Sequence, residues 1–248
     1  MIRRKQMEEW NHNRFSDDEI YLNEDRFDDP KEAHIRIANI IKDLSELKGS
    51  ESVVDCGCAT GELLNTIKNR VAGIQINGFD VSKRMVEKGN KRLNTNRLFV
   101  QDLNIEFKEW DNKEKHEYVT CSGVLCIFDD YKKILDNLLS LTKRGGYIII
   151  HGSFNPYGID VIMRYRRDIE QSWEGGWNIF SKLTIEKCLQ KHERVKSFAW
   201  NDYELDINID ERAEDPMRTW TANLNGEKIL VNGAGQIMRL SNLVIETY

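Results

Sequence analysis

From Ser52 to Gly152 short apolar runs alternate with amphipathic ones, and this alternation restricts the fold more than any other feature of the chain. "SVVDCG" reads as a strand and "GELLNTIKNR" as a helix. "GIQINGFDV" is a strand, and "SKRMVEKGNKRL" is a helix capped by Ser82. "RLFVQDL" is a strand. "YVTCSGVLC" is a strand with its exit loop, "DYKKILDNLLSLT" a helix and "GGYIIIHG" a buried strand. Strand–helix alternation at this pace makes βαβ units with right-handed crossovers around a parallel sheet. Ligands of such sheets bind at the carboxyl ends of the strands, so chemistry is to be sought where each strand stops.

The flanks read differently. Residues 1–28 are polar with scattered aromatics (Trp10, Phe15, Tyr21, Phe27), as loop or short helix. In "DDPKEAHIRIANIIKDLSELKG", Asp29 suits an N-cap, Pro30 the first helical position and Glu32 a capping box. Ala33, Ile37, Ile40, Ile41, Leu44 and Leu47 form one apolar face, and Gly49 ends it. Residues 1–48 are therefore expected as an N-terminal helical cap on a main domain of residues 49–248. After residue 152, "GIDVIMRYRRDIEQSW" reads as helical and "LTIEKCLQKH" as a helix capped by Thr184. "RVKSFAW" is a strand, "RTWTANLNGEKILVNG" a hairpin turning at Asn225-Gly226, and "NLVIETY" a final strand.

The 248 residues suit one α/β domain. A formal charge of −5 disfavours nucleic acid as a partner, since phosphate-binding domains are usually basic. The five cysteines are odd in number, and Cys56 and Cys58 have no second pair at zinc spacing, so neither a disulfide framework nor a metal is expected. That usage fits a reduced, cytoplasmic setting. The N-terminus lacks the apolar stretch of a secretory signal, and the apolar runs are strand-length, so no membrane span is expected.

The Gly-rich loop after the first strand narrows the ligand. A dinucleotide fingerprint needs G-x-G-x-x-G, and the glycines here, Gly57 and Gly61, are spaced otherwise. A P-loop needs Lys after its second glycine, where Glu62 stands and would repel phosphate. What remains is D-x-G-x-x-x-G from Asp55 to Gly61. "VVDCGCATGE" resembles the first motif of the class I S-adenosylmethionine (SAM)-dependent methyltransferases, with Ala59 at the family's middle glycine. "GFDVSKRMVEKG", "FVQDL", "TCSGVLCIFDDY" and "LTKRGGYIII" resemble the following motifs in order, over residues 30–152.

The resemblance implies a Rossmann-like fold with a mostly parallel seven-stranded sheet, an antiparallel final strand, helices on both faces and an extra hairpin at about 218–232. It implies SAM as cofactor, S-adenosylhomocysteine as product and no metal. By the motifs, Asp55, Gly57, Cys58, Ala59 and Gly61 would approach the amino-acid part of the cofactor. Asp80 would accept from the ribose hydroxyls, or cap the next helix, and Val81 and Met85 would also bind the cofactor. Gln101, Asp102 and Leu103 would face the adenine, and Ser122 and Gly123 would pass beneath the cofactor. Asp55 reads equally as orienting the loop, and Ser122 as satisfying backbone. His34 or Arg36, on the preceding helix, could reach the cofactor carboxylate; a solvated helix face is the other reading.

Methyl transfer is an in-line displacement that a general base assists when a hydroxyl attacks. His151, directly after "YIII", is the candidate base, its unperturbed pKa suiting proton abstraction near neutrality. Asp129 is the alternative; together with Asp130 it also reads as a helix cap. The segment 153–182 is expected to cover the substrate. In it Arg164 and Arg167, three apart on one helix face, would fork an anionic group, or pair with Asp160, Asp168 and Glu170 on a solvated face. Tyr157 and Trp177 complete the acceptor-binding candidates; Trp173, Trp177 and Trp220 read as pocket wall or core. The hairpin and "NGAGQ" read as lid or oligomer contact, which leaves a homodimer open. The functional expectation is O-methylation of a small, phosphorylated or nucleotide-linked sugar or related surface-polysaccharide (capsule) precursor. The alternatives are methylation of tRNA or protein, or SAM binding without catalysis.

Overall fold

Ser52–Cys56 (β1), buried at every residue, lies near the middle of the main sheet. The computed structural model describes residues 22–23, 25–46, 50–166, 168–213, 215 and 217–248. β1 pairs in parallel with Gln75–Asp80 (β2) and with His116–Ser122 (β4). β2 pairs in parallel with Leu98–Val100 (β3), and β4 with Thr142–Asn155 (β5). Leu240–Thr247 (β13) is inserted antiparallel between β5 and Val195–Asp202 (β9). The order is β3-β2-β1-β4-β5-β13-β9, and Phe180–Ser181 (β8) pairs with the far end of β5. Thus β13 is the strand that runs against the others along this path, a Rossmann-like arrangement.

Alternation along the strands divides the core between two faces. Val53 and Ile149 point to one, where Ile37 and Ile41 of Glu32–Leu44 (α1), Leu64 and Ile67 of Glu62–Arg70 (α2) and Val86 of Lys83–Leu93 (α3) cover them. Val54, Ile148 and Ile150 point to the other, under Ile134 and Leu138 of Tyr131–Leu141 (α4) and Ile185 and Leu189 of Lys182–Leu189 (α5).

Three expectations need correction. Helix α1 begins after Lys31, not Asp29: the Asp29 carboxylate is taken by Arg26 at 2.8 Å, and Glu32 pairs along the helix with Arg36. It ends at Leu44, and Gly49 lies outside the described residues. Helix α5 is capped by Ser181, whose Oγ accepts from the Leu183 N–H, while the Thr184 hydroxyl donates to Asp160 at 2.7 Å. Most consequentially, the described residues of 158–173 (158–166 and 168–173) are not helical. Val161 bridges Ile179, and Arg164–Tyr165 (β6) pairs antiparallel with Glu174–Gly175 (β7). The β-branched Ile159, Val161 and Ile162 suit extended backbone, and Asp160, bound to the Ser181 N–H, ties this segment to the start of α5.

Trp220–Leu224 (β10), Glu227–Val231 (β11) and Ile237–Met238 (β12) form a separate antiparallel sheet. Its first turn holds Asn225 and Gly226 at positive φ. Among the described residues no helix is long and apolar enough to cross a membrane.

Candidate active site

The loop leaving β1 is folded back onto β2. The N–H groups of Gly57 and Cys58 both donate to the Phe79 carbonyl, at 2.7 and 2.9 Å. Gly57 has φ +84°, and a Cβ there would meet Val124 Cγ2 at 2.3 Å, so the turn needs glycine twice over. Ala59 is also left-handed, at φ +46°, and its N–H donates to Asp80 Oδ2 at 2.8 Å. The other Asp80 oxygen accepts from the Ser82 N–H at 2.9 Å. Backbone N–H groups on both oxygens thus fix the position of the carboxylate.

A cavity of about 490 Å³ opens at the carboxyl ends of β1 to β5. Its wall takes Asp55, Gly57, Cys58 and Ala59 from the first loop and Asp80, Val81 and Met85 from the exit of β2. The exit of β3 adds Gln101, Asp102 and Leu103; that of β4 adds Ser122 and Gly123; β5 adds His151. Gly61 stands behind this wall as the left-handed N-cap of α2, where a Cβ would lie 2.5 Å from Leu93 Cδ1; it is a packing glycine.

Burial moves Asp55 and His151 away from their ordinary pKa values. Asp55 is 2% exposed and accepts from Thr120 Oγ1 at 2.7 Å. Burial, with the nearby carboxylates of Asp80 and Glu62, pushes its pKa up to about 7 against the opposing Thr120 hydrogen bond. His151 faces Asn242 Oδ1 at 3.2 Å through Nδ1. An amide oxygen only accepts, so Nδ1 carries the proton and Nε2 the lone pair. Burial lowers the imidazole to about 4, outweighing its hydrogen bonds to Asn242 and the Ser241 backbone. The near-neutral pKa expected from an unperturbed histidine is therefore corrected: the ring is neutral throughout the physiological range.

Other expected residues fall elsewhere. Arg164 lies in β6, ion-paired with Asp129, so the shared helix face with Arg167 does not exist; Arg167 itself lies outside the described residues. Neither Asp129 nor Arg164 lines the cavity, and Asp129, held by Arg164 and Asn178 Nδ2, is not placed to serve as a base; the neighbouring Asp130 caps α4. Tyr157 is 62% exposed and also lies off the wall. Trp177 and His34 do line it, whereas Arg36 stacks over the Tyr203 ring at 4.3 Å.

The sequence reading missed Lys31, Asn178, Arg218, Met238 and Leu240, all part of the wall. Lys31 sits beside the capping signal and could have been considered with His34. Asn178, Arg218 and Met238 come from irregular or short extended segments that carry no periodic signal, and Leu240 opens β13.

The profile of the family described as "Methyltransferase domain" matches residues 25–193. The malonyl-[acyl-carrier protein] O-methyltransferase of Acetivibrio thermocellus is 24% identical over 236 residues, covering 86% of this chain and 83% of that one. Magnesium protoporphyrin IX methyltransferase of Synechocystis PCC 6803, solved with bound SAM, superposes with a TM-score of 0.52 at 16% identity, over 97% of this chain and 94% of that one. CalS10, a SAM-bound amino pentose methyltransferase of Micromonospora echinaspora, gives a TM-score of 0.52 at 12% identity, over 94% and 95% of the chains. The chain belongs to the methyltransferase-domain family and is a class I SAM-dependent methyltransferase. The wall fits that cofactor: Glu62, Asp80 and Asp102 suit a cationic nucleoside with free hydroxyls and would repel a polyphosphate.

Proposed function

We propose that the protein O-methylates a small anionic acceptor, a phosphorylated or nucleotide-linked sugar or related precursor of a surface polysaccharide. The observation that carries this reading is the division of charge within one cavity. The wall is acidic where β1 to β3 supply it, and basic where the N-terminus of α1 brings Lys31 and His34 and the segment before β10 brings Arg218, whose Nε lies 3.7 Å from Asp215 Oδ2. The acidic part suits the cofactor; the basic part suits an anion, and Arg218 takes the role expected of Arg164 and Arg167.

SAM supplies the electrophilic methyl group. Asp80 and Asp102, at the exits of β2 and β3, hold the ribose and adenine, and the loop from Asp55 to Ala59 passes the amino-acid part. His151 Nε2 accepts the proton of the acceptor hydroxyl as its oxygen gains the methyl group, and Asn242 keeps the ring in the tautomer that can do so. A relative that is an O-methyltransferase supports oxygen as the accepting atom.

The test is methyl transfer from labelled SAM into source-cell extract separated into small molecules, glycans, RNA and protein. Label in small anionic molecules or glycans supports the reading; label in RNA or protein overturns it. With an acceptor fraction in hand, His151→Gln lowers kcat by about 100-fold or more, the usual worth of a general base. His151, titrating near 4, adds no pH dependence between pH 6 and 8, so any change of the wild-type rate there follows Asp55, which titrates near 7, and is absent from Asp55→Asn. A rate of Asp55→Asn that drops below pH 6.5 would contradict the assignment.

A further inference from the structure

Trp177 occupies a backbone conformation that costs a large side chain most. Its φ is +58°, in the left-handed region, although Gly175 and Gly176 immediately precede it. Bulky residues are rare there and persist where surroundings over-determine them, typically at functional sites.

The surroundings do so from two sides. The Trp177 carbonyl accepts from Gln236 Nε2 at 3.0 Å, and Gln236 is braced by the buried Asn232, whose Nδ2 donates to its Oε1 at 2.8 Å. The next residue, Asn178, is 1% exposed. Its N–H donates to the Cys126 carbonyl at 2.9 Å, its Nδ2 to the Phe128 carbonyl at 2.9 Å, and its Oδ1 accepts from the Met163 N–H at 2.8 Å. One peptide unit thus joins the loop after β4, the segment around β6 and β7, and the turn between β11 and β12. The half-buried Trp177 lines the cavity, with Met238 and Arg218 on the same wall.

We infer that Trp177 is a specificity-determining residue for the acceptor, its indole receiving the C–H face of a sugar-like ring whose anionic group reaches Arg218. Asn178 and Gln236 are its positioning residues. The inference rests on the proposed acceptor class and narrows it to a ring with an apolar face beside its charge. An indole gives a rigid, flat contact at small entropic cost, which suits discrimination among hydroxylated rings. Glycine at this position would relieve the backbone strain, so the residue's contribution lies in the ring and not in the fold.

The experiment uses the small-molecule fraction of cell extract that takes label from SAM, titrated by dilution, with wild type, Trp177→Gly and Trp177→Phe. Trp177→Gly is expected to raise the half-saturating amount of that fraction by about tenfold or more, the loss typical of a buried aromatic anchor. It leaves S-adenosylhomocysteine affinity within about twofold and does not lower Tm, while Trp177→Phe restores most of the saturation behaviour. Unchanged saturation in Trp177→Gly overturns the inference, and so does a joint fall in Tm and S-adenosylhomocysteine affinity, which would make the ring a packing group. If wild type labels no small-molecule fraction, the acceptor reading fails first and the inference falls with it.

Discussion

At the scale of single residues, burial sets the chemistry more than residue type does. Asp55 could be read from the sequence as a loop acid, but its protonation could not, because that depends on Thr120 of β4 and on enclosure by the sheet. Its folded pKa, raised from 3.8 to about 7, means the native protein holds this proton more tightly than the unfolded chain. The resulting stabilisation is complete below pH 3.8 and is lost as pH rises through 7. His116 and His151, both lowered by burial from 6.5 to about 4, act oppositely: their contribution is present above pH 6.5 and is lost as pH falls toward 4. Asp55→Asn keeps the shape and removes one of these opposed terms. Urea unfolding should show the variant gaining stability relative to wild type between pH 5 and pH 8; a difference that does not change with pH would show that Asp55 is already ionised in the fold.

At the scale of elements, most of the first half was legible because its signals are local. Ser82 caps α3 as its position suggests, and β2 ends on Asp80, the acid that its motif marks. The segment 158–173 was not legible, since its apolar residues fit helical spacing while their partners lie far away in sequence at Ile179, Asp129 and Ser181. The same non-local logic explains Gly89 in the middle of α3. A Cβ there would lie 2.6 Å from Leu98 Cδ1 and 3.1 Å from the Thr60 backbone. Helix propensity alone favours Gly89→Ala by about 1 kcal/mol. Close packing of α3 on the cofactor loop reverses the sign, and thermal or urea unfolding should show a net loss of about 1–3 kcal/mol, the usual cost of overpacking. A stabilised Gly89→Ala variant would mean that the loop can retreat without cost.

At the scale of the whole molecule, the sheet order brings five strand ends to one cavity and β13 inserts Asn242 beside His151. The part of the wall proposed for the cofactor carries local signals, since each motif follows its strand. The part proposed for the acceptor was legible only at Trp177: Arg218 and Met238 line the same cavity from segments with no periodic pattern. The central claim is that Asp80, fixed by the Ala59 and Ser82 N–H groups, anchors a SAM-type nucleoside in this cavity. The most direct measurement is calorimetric titration of S-adenosylhomocysteine into wild type and Asp80→Ala, each first shown to be folded by circular dichroism. Binding by wild type with one site per chain, weakened by about 30-fold or more in the folded variant, is the predicted result, as expected when a charged hydrogen-bond acceptor is removed. A wild type that does not bind, or a folded Asp80→Ala that binds equally well, would contradict the account.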